Sequence, residues 1–215
     1  MRIFLDTADT SIIQKHFATG LIDGITTNPT LIRKSGRDPL EVYQELKDLG
    51  IKDISMEVVG DADEMINEGK VLYDTFGDCC TVKVPCSPDG LRACKELSDL
   101  SIRVNVTLIF SQTQAILASK AGAKYVSPFV GRVDDNSFGG ICLVKDIVNV
   151  FKEHFVRTEV LAASIRNVRD VGRLFEHGAE IVTMPPAVFE KMYNHILTDK
   201  GLELFQADWE SVHHP

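Results

Sequence analysis

Short runs of β-branched and apolar residues alternate with amphipathic segments along the chain, and this pattern predicts repeated strand–helix units. In the first unit, an apolar run is followed by a helical pattern that starts at Asp9 or Thr10 as cap and stops at Gly20. The predicted strands are residues 3–6, 24–27, 54–59, 81–84, 102–108, 125–130, 160–163 and 181–184. The predicted helices are residues 9–19, 39–49, 61–76, 88–100, 111–121, 140–155, 167–175 and 186–196, with a polar loop at 131–140.

Strict alternation of strands and helices indicates a parallel sheet with helical crossovers. Eight such units close naturally into a (β/α)8 barrel, the TIM barrel fold, and 215 residues lie at the short end of its range. A doubly wound open sheet is the alternative, but that fold usually has a glycine-rich turn after its first strand. Here residues 6–9 contain no glycine. We therefore predict an α/β protein in which residues 1–215 form a single (β/α)8 barrel domain.

One further amphipathic segment, residues 199–211, lies beyond the eight units. Leu202, Phe205 and Trp209 are spaced so that they stack on one face of a helix. We expect an extra C-terminal helix that forms an arm. Two interpretations stay open: the arm packs back on its own barrel, or it docks on a neighbouring subunit, since an exposed apolar stripe favours association.

The composition is that of an ordinary globular protein, with 44% hydrophobic and 25% charged residues. The formal net charge of −8 argues against a nucleic-acid partner and against a membrane-surface partner. We expect no signal peptide, because the N-terminal sequence lacks a basic region followed by a long apolar one. We also expect no membrane-spanning segment, because no apolar run reaches the necessary length.

The cysteines and histidines form no metal-binding or disulfide pattern. The five cysteines are odd in number and contain no C-x-x-C motif, and the six histidines contain no H-E-x-x-H motif. We therefore expect a cytoplasmic protein without a disulfide framework and without a metal ion. Three cysteines near Lys83 receive no role beyond packing: Cys79, Cys80 and Cys86.

Lys83 occupies an unusual position, because it lies within a predicted buried strand, between Val82 and Val84. Glu57 has equally apolar neighbours on the preceding predicted strand. Each of the two charged groups needs a partner if it is buried, and each is the natural partner of the other. One interpretation is a structural ion pair. The other is a lysine whose neutral amine attacks a carbonyl carbon and forms a Schiff base.

In a barrel of this kind, the active site lies at the carboxyl ends of the strands. Seven of the eight predicted strands carry polar or ionisable side chains to that end, whereas strand eight is expected to end apolar, in Met184 and Pro185. Each side chain alone also fits an ordinary role as a cap, turn or strand residue. The candidate site residues are Asp6, Thr26, Asn28, Glu57, Lys83, Asn105, Thr107, Ser127, Phe129, Arg132, Ser164 and Arg166.

Together these side chains suit the cleavage of a carbon–carbon bond in a sugar. Lys83 can condense with a ketose carbonyl, and Glu57 is the candidate acid/base for loss of water from the adduct, directly or through a water. Asp6 is the candidate base for the hydroxyl group next to the bond that breaks. The protonated Schiff base accepts the electron pair, a role that otherwise needs a metal or a cofactor, so we expect none.

A phosphate site is predicted at the same rim. Arginine forks fit phosphate oxygens, and two arginines follow strands six and seven. The usual phosphate site of such barrels follows strands seven and eight, so the match is close but not complete. The candidate phosphate ligands are Arg132, Ser164 and Arg166. We therefore expect phosphorylated sugar substrates.

Five motifs in this chain resemble those of the transaldolase family, and especially its short members, which include the fructose-6-phosphate aldolases. The motifs are LDTA at 5–8, TTNPT at 26–30, VKVP at 82–85, NVTLIFS at 105–111 and AAS at 162–164. Their order and spacing extend the resemblance over nearly the whole chain. It implies a class I enzyme of the non-oxidative pentose phosphate pathway, which moves a dihydroxyacetone unit between phosphorylated sugars.

The resemblance also implies a role for each matching residue. It implies that Lys83 is the Schiff-base lysine and that Asp6 is the acid/base at the bond being cleaved. Glu57 and Thr107 would handle the catalytic water. The implied ligands of the dihydroxyacetone hydroxyl groups are Asn28, Asn105 and Ser127, and the implied phosphate ligands are Arg132, Ser164 and Arg166. Short members are typically decamers of two stacked pentamers, which favours the interpretation of segment 199–211 as an arm on a neighbour.

Two positions distinguish the branches of the family. Aldolase-type members carry glutamine in place of Glu57 and tyrosine in place of Phe129, so this chain resembles the transaldolases at both. A fructose-6-phosphate aldolase that releases free dihydroxyacetone remains the alternative. A non-catalytic, sugar-phosphate-binding ring protein on the same fold is a third hypothesis. This hypothesis leaves unexplained why both Glu57 and Lys83 lie inside adjacent strands, where burying each charge costs free energy.

Overall fold

Within residues 1–213, which the computed structural model describes, eight parallel strands close into a barrel in their order along the chain. The strands are β1 (Arg2–Asp6), β2 (Gly24–Thr26), β3 (Ile54–Glu57), β4 (Cys80–Pro85), β5 (Val104–Ile109), β6 (Tyr125–Pro128), β7 (Glu159–Ala162) and β8 (Ile181–Met184). Pairing between β1 and β8 closes the ring. The predicted (β/α)8 barrel is therefore confirmed, and the open, doubly wound alternative is wrong.

Helices surround the barrel and follow its strands. They are α1 (Thr10–Phe17), α2 (Pro29–Ser35), α3 (Pro39–Asp48), α4 (Ala62–Phe76), α5 (Pro88–Asp99), α6 (Gln112–Lys120), α7 (Val130–Asp135), α8 (Gly140–Glu153), α9 (Val168–Glu176), α10 (Pro186–Lys191) and α11 (Ile196–His213). Several start at the caps that the sequence predicts: Asp38 accepts hydrogen bonds from the N–H groups of Leu40 and Glu41, and Ser87 accepts one from Gly90. Such a cap contributes about 1 kcal/mol, because it satisfies N–H groups without an intrahelical partner.

Two short helices, α2 and α7, differ from the prediction. Asn28 caps α2 by accepting a hydrogen bond from the N–H of Leu31, and a proline occupies the first helical position. No residue of α2 is fully buried, and only the adjacent Leu31 and Ile32 pack partly against the core, so α2 has no repeating apolar face. Helix α7 begins at Val130, the last residue of the predicted strand 125–130, and otherwise lies in the predicted loop 131–140. No side chain caps it, and Gly131 reduces its helical propensity. Helix α2 therefore carries a cap signal without a repeating apolar face, and α7 carries no side-chain cap.

The apolar core lies mainly between the strands and the helices, whereas the interior of the barrel is largely polar. A small apolar cluster fills the interior around the rings of Phe4 and Tyr125. Gly24 makes room for it, because a Cβ atom at this position would lie 2.6 Å from the ring of Phe4. Each fully buried aliphatic or aromatic side chain contributes about 1.5–3 kcal/mol.

A polar network around Asp53 lies near the amino ends of the strands. The buried Asp53 carboxylate accepts hydrogen bonds from the Tyr125 hydroxyl at 2.6 Å and from the Thr81 hydroxyl at 2.8 Å, and Arg103 lies 3.4 Å away. Burial, together with the charge of Asp53, raises the pKa of Tyr125 to about 12. Tyr125 therefore remains a neutral donor to Asp53, and this network links the strands beneath the mouth of the barrel.

Helix α11 is longer than the predicted arm at 199–211 and exposes its apolar side chains. Leu202 is 62% exposed, Phe205 74% and Trp209 63%. The interpretation in which this stripe packs back on its own barrel is therefore wrong. No helix among the described residues is both long enough and apolar enough to cross a membrane.

Candidate active site

Lys83 and Glu57 form an ion pair inside the barrel. They lie opposite each other on β4 and β3, and Lys83 Nζ is 2.9 Å from Glu57 Oε2. The same ammonium group donates a hydrogen bond to the backbone carbonyl of Thr27 at 2.9 Å. Lys83 is only 5% exposed, so its charge is held by these two oxygens rather than by bulk water. The pair places a lysine beside a carboxylate that can accept its proton.

Asp6, at the end of β1, has an environment suited to moving a proton. Burial raises the pKa of the Asp6 carboxyl group, while the charge of Lys83 and a hydrogen bond from Thr26 act in the opposite direction. Thr26 donates this bond to Asp6 Oδ1 at 2.8 Å. A raised pKa brings a carboxyl group closer to the range in which it both accepts and returns a proton.

Asn105, on β5, is held in one orientation by two serines. Ser127 donates to Asn105 Oδ1 at 2.7 Å, and Asn105 Nδ2 donates to Ser55 Oγ at 3.2 Å. An amide with both ends bonded cannot flip without losing hydrogen bonds, so its remaining N–H points in a fixed direction. On the same strand, Thr107 is 1% exposed, and its hydroxyl has no hydrogen-bond partner among the described residues. A water or a sugar hydroxyl would satisfy it.

A cavity of about 110 Å³ joins these groups at the carboxyl ends of the strands. Of the predicted site residues, nine line the cavity: Asp6, Thr26, Asn28, Lys83, Thr107, Ser127, Phe129, Arg132 and Ser164. Glu57 and Asn105 do not line it and contact lining residues instead. Arg166 is not among the lining residues, and its guanidinium group lies 2.6 Å from the carboxylate of Asp135.

The rim combines an aromatic wall with cationic groups. The ring of Phe129 contacts Phe110 edge-on at 5.7 Å, and the guanidinium carbon of Arg132 lies 4.8 Å from the centre of the same ring.

Ser164 has a φ of 61° and Leu108 a φ of 58°, a region that non-glycine residues rarely adopt. Local strain of this kind often accompanies functional sites. Here Leu108 lies where the pairing of β5 with β6 shifts register, and Ser164 follows β7.

Comparison with known proteins identifies the family. The family described as Transaldolase/Fructose-6-phosphate aldolase matches residues 3–214. A protein of Caulobacter vibrioides named "Probable transaldolase" is 52% identical over 99% of this chain and 98% of its own length. A protein of Nitrosopumilus maritimus with the same name is 50% identical over 99% of this chain and 96% of its own length. The chain belongs to the transaldolase/fructose-6-phosphate aldolase family.

The barrel of this family member also resembles that of a distant protein. Thiamine phosphate pyrophosphorylase from Pyrococcus furiosus superposes with a TM-score of 0.57 over 85% of each chain, at 14% sequence identity. A likeness at this identity concerns the fold alone.

Two side chains and one backbone carbonyl around the site of this transaldolase-family chain are absent from the sequence prediction. Thr183 on β8 lines the cavity, so the expectation that strand eight ends apolar in Met184 and Pro185 misses its polar contribution. The period-two alternation of a strand was the available signal, because Thr183 is two residues after the inward-facing Ile181. Ser55 orients Asn105, and Thr27 accepts from Lys83 through its backbone. A backbone acceptor leaves no signal in the residue type.

Proposed function

We propose that this chain is a transaldolase that transfers a dihydroxyacetone unit in the non-oxidative pentose phosphate pathway. The donor is fructose 6-phosphate or sedoheptulose 7-phosphate, and the acceptor is erythrose 4-phosphate or glyceraldehyde 3-phosphate. One observation carries the proposal: a buried lysine lies 2.9 Å from a carboxylate, at a cavity that Asp6 also lines. The relatives named "Probable transaldolase" support the same activity.

The first chemical stage forms the Schiff base. Glu57 takes a proton from Lys83, and the neutral amine attacks the ketose carbonyl carbon. A proton then moves from the attacking nitrogen to the former carbonyl oxygen, which gives the neutral carbinolamine. Glu57 returns that proton to the hydroxyl group of the carbinolamine, which leaves as water, and a protonated imine remains. The unpaired hydroxyl of Thr107 supports a role in holding this water. After the proton transfer from Lys83 to Glu57, both groups are neutral, so losing the ion pair leaves no unpaired charge buried in the barrel.

The second stage breaks the carbon–carbon bond. Asp6 removes the proton of the hydroxyl on the carbon next to that bond, and an aldehyde forms there as the bond breaks. The electron pair moves into the protonated imine and leaves an enamine on Lys83. An acceptor aldehyde then adds to the enamine carbon, and Asp6 returns its proton to the new alkoxide. Hydrolysis of the imine releases the product.

Polar groups around the cavity suit the rest of the sugar. We assign Asn28, Asn105 and Ser127 to the hydroxyl groups of the dihydroxyacetone unit, and Thr26 to the support of Asp6. We assign the phosphate group to Arg132, Ser164 and Arg166. Phosphate would compete with Asp135 for Arg166, and both partners of that ion pair are about half exposed, so the exchange costs little.

A fructose-6-phosphate aldolase is the second candidate, because the family includes both activities. An aldolase must protonate the enamine and release free dihydroxyacetone. Phe129 lines the cavity and supplies no proton, and this observation favours transfer over release. Product analysis separates the two, since an aldolase forms free dihydroxyacetone without an acceptor.

Trapping with borohydride tests the mechanism. The protein is incubated with fructose 6-phosphate, reduced, digested and mapped by mass spectrometry. A reduced dihydroxyacetone adduct on Lys83 is the expected result. No adduct in folded protein would reject the Schiff-base mechanism and favour the non-catalytic hypothesis. An adduct on another lysine would retain the chemistry but reject Lys83. Lys83→Met serves as the control that abolishes trapping.

We further propose a homodecamer of two pentameric rings, with residues 1–215 as one barrel domain and segment 199–211 as an arm on a neighbouring subunit. The exposure of Leu202 and Phe205 supports such an arm, because large apolar side chains gain free energy when a partner covers them. We propose a cytoplasmic location, which the five free cysteines support.

A further inference from the structure

The hydroxyl group of Thr183 belongs to a short hydrogen-bonded chain that ends on Asp6. Thr183 is 2% exposed, and its Oγ1 lies 2.7 Å from Thr26 Oγ1. Thr26 Oγ1 in turn lies 2.8 Å from Asp6 Oδ1. The strand that carries Asp6 pairs with the strands of both threonines, and all three side chains line the candidate cavity. The chain is therefore part of the site rather than of the surrounding core.

The number of protons on the three side chains fixes which group donates in each of the two hydrogen bonds. A threonine hydroxyl has one proton, and an ionised carboxylate can only accept hydrogen bonds. When Asp6 is ionised, the proton of Thr26 therefore points to Asp6. Thr26 then has no proton left for its second contact, so Thr183 must be the donor there.

We propose that Thr183 is a positioning residue for Asp6: its hydroxyl donates to Thr26 and thereby holds the proton of Thr26 on the carboxylate that acts as base. Hydrogen bonds in a chain polarise one another, so the donor at the far end strengthens the bond to the charged end. That last bond is charge-assisted and hence the stronger of the two. The inference rests on the proposed function, since it assigns Asp6 the role of base.

The same two hydroxyl groups also suit the protonated state of Asp6. Once Asp6 has taken the substrate proton, it can donate to Thr26, and Thr26 can donate to Thr183. No polar group then loses its partner as the base passes between its two states. A valine at either position would remove this ability.

Few charged side chains act on the carboxylate of Asp6 alongside the hydrogen bonds from Thr183 and Thr26. The two flanking strands, β2 and β8, carry no ionisable side chain. Helix α10 packs against β1, and its Glu190 forms an ion pair with Lys15. The other charged side chains around the cavity are Lys83, its partner Glu57, and Arg132. A change at Thr183 leaves all of these charges in place.

The main test replaces Thr183 by valine, which keeps the shape and removes the hydroxyl. We expect kcat to fall about tenfold, because the bond to ionised Asp6 weakens, with KM for the donor changed less than about twofold. The acidic limb of the pH profile should move to higher pH, because the pKa of Asp6 rises when its anion is less well stabilised. Thr183→Ser retains the hydroxyl and should restore both properties.

Thr81→Val is the matched control. Thr81 lies near the start of β4, outside the cavity lining, and its hydroxyl donates to the buried carboxylate of Asp53 at 2.8 Å. The substitution removes the same kind of bond from the polar network beneath the site. We expect lower thermal stability without a shift of the acidic limb.

Borohydride trapping separates failure of this inference from failure of the proposed function. With wild-type protein, an adduct on Lys83 is expected, and its absence would overturn the proposed function. With Thr183→Val, the adduct should still form, but a larger share should be the uncleaved sugar phosphate. A wild-type adduct together with an unchanged acidic limb and an unchanged adduct ratio would overturn the role of Thr183. So would failure of Thr183→Ser to restore activity, since a hydroxyl would then not be what matters.

Two further variants keep the test decisive. If Thr183→Val does not fold, Thr183→Ala carries the same expected shift of the acidic limb. In a Thr26→Val background, Thr183→Val should have no further effect on the acidic limb, because the chain is already broken. An undiminished effect there would show that Thr183 does not act through Thr26.

Discussion

The carboxylate of Glu57 and the ammonium of Lys83 lie 2.9 Å apart at the same level of adjacent strands, and neither side chain is more than 12% exposed. The two interpretations of the sequence, ion pair and Schiff-base lysine, therefore do not exclude each other. A close pair satisfies both charges in the resting state, and a proton transfer within it yields the neutral amine. Under the proposed mechanism, the ion pair keeps the lysine charged in the resting state, where Glu57 offsets the free-energy cost of burying it.

The first prediction concerns the coupling within this pair. Lys83→Met alone leaves the Glu57 carboxylate buried without its partner, and we expect it to lower the free energy of unfolding by about 3–5 kcal/mol. Adding Glu57→Gln should recover much of this loss, because the remaining group is then neutral. Chemical denaturation of the two single variants and the double variant gives the coupling. If the losses in free energy of unfolding of the two single variants simply add in the double variant, the two groups do not offset each other's cost of burial.

The second prediction concerns Asp6 and pH. The raised pKa means that folded protein binds a proton at Asp6 more readily than unfolded protein. The contribution of this group to stability is therefore fully present below its unfolded pKa and is lost as pH rises through the folded pKa. Asp6→Asn should increase the free energy of unfolding at neutral pH while abolishing activity. The gain should shrink as pH falls toward the ordinary carboxyl range.

Asp9→Asn is the control of opposite sign. Hydrogen bonds from the Ser11 hydroxyl and from the Ile12 backbone lower the pKa of Asp9. Its contribution is present above the unfolded pKa and is lost as pH falls through the folded pKa. We expect this variant to be slightly less stable than wild type at neutral pH, with a difference that disappears in acid. Urea titrations at a series of pH values measure both variants, and equal slopes with pH would contradict the assignment.

The sequence predicts most of this fold because the signals that define it are local. Asp38 and Ser87 start helices through bonds to residues two or three positions away, and Val82 and Val84 define a strand by their own residue types. Lys83 stands out for the same reason, since a charge between buried valines is visible without any structure.

Features that depend on register or on distant residues could not be predicted in this way. The bond between Tyr125 and Asp53 joins residues 72 positions apart, and it forms because the barrel brings the start of β6 close to the residue that precedes β3. The sequence predicts Arg166 at the phosphate rim, but its ion pair with Asp135 depends on how the end of α7 and the segment between β7 and α9 are placed. Local patterns contain no information about such pairings.

The third prediction uses that ion pair. On the proposed assignment of Arg166 to the phosphate group, Asp135 competes for Arg166 and repels the phosphate. Asp135→Asn should therefore lower KM for fructose 6-phosphate by up to about fivefold, since unit charges about 4 Å apart in water interact by ~1 kcal/mol. Thermal stability should hardly change, because an exposed ion pair contributes little. Asp74→Asn, an exposed position on α4, alters the net charge equally and should leave KM unchanged. A lower KM for unphosphorylated fructose as well would contradict a phosphate role for Arg166.

The fourth prediction concerns the choice between transfer and release. Phe129→Tyr places a hydroxyl near the enamine, where it can guide a proton or water to the carbanion carbon. We expect free dihydroxyacetone formed without an acceptor to rise about tenfold or more, since a positioned acid/base group contributes at least that much. Phe110→Tyr is the matched control, because its ring contacts Phe129 at 5.7 Å but does not line the cavity. No gain in release would mean that Phe129 does not protect the enamine.

The fifth prediction concerns helix α11. The side chain of Phe205 is 74% exposed, and burying such a ring against a neighbour would contribute about 1.5–3 kcal/mol per subunit. Phe205→Glu should therefore reduce the assembly mass measured by sedimentation velocity at a given protein concentration, because it places a charge in an apolar contact. Lys200→Glu, on the opposite face of the same helix, should leave the mass unchanged. An unaltered sedimentation coefficient for Phe205→Glu would mean that this face of α11 does not dock on a second copy. If both variants reduce the mass, the helix contributes through its charge or its folding rather than through an apolar stripe.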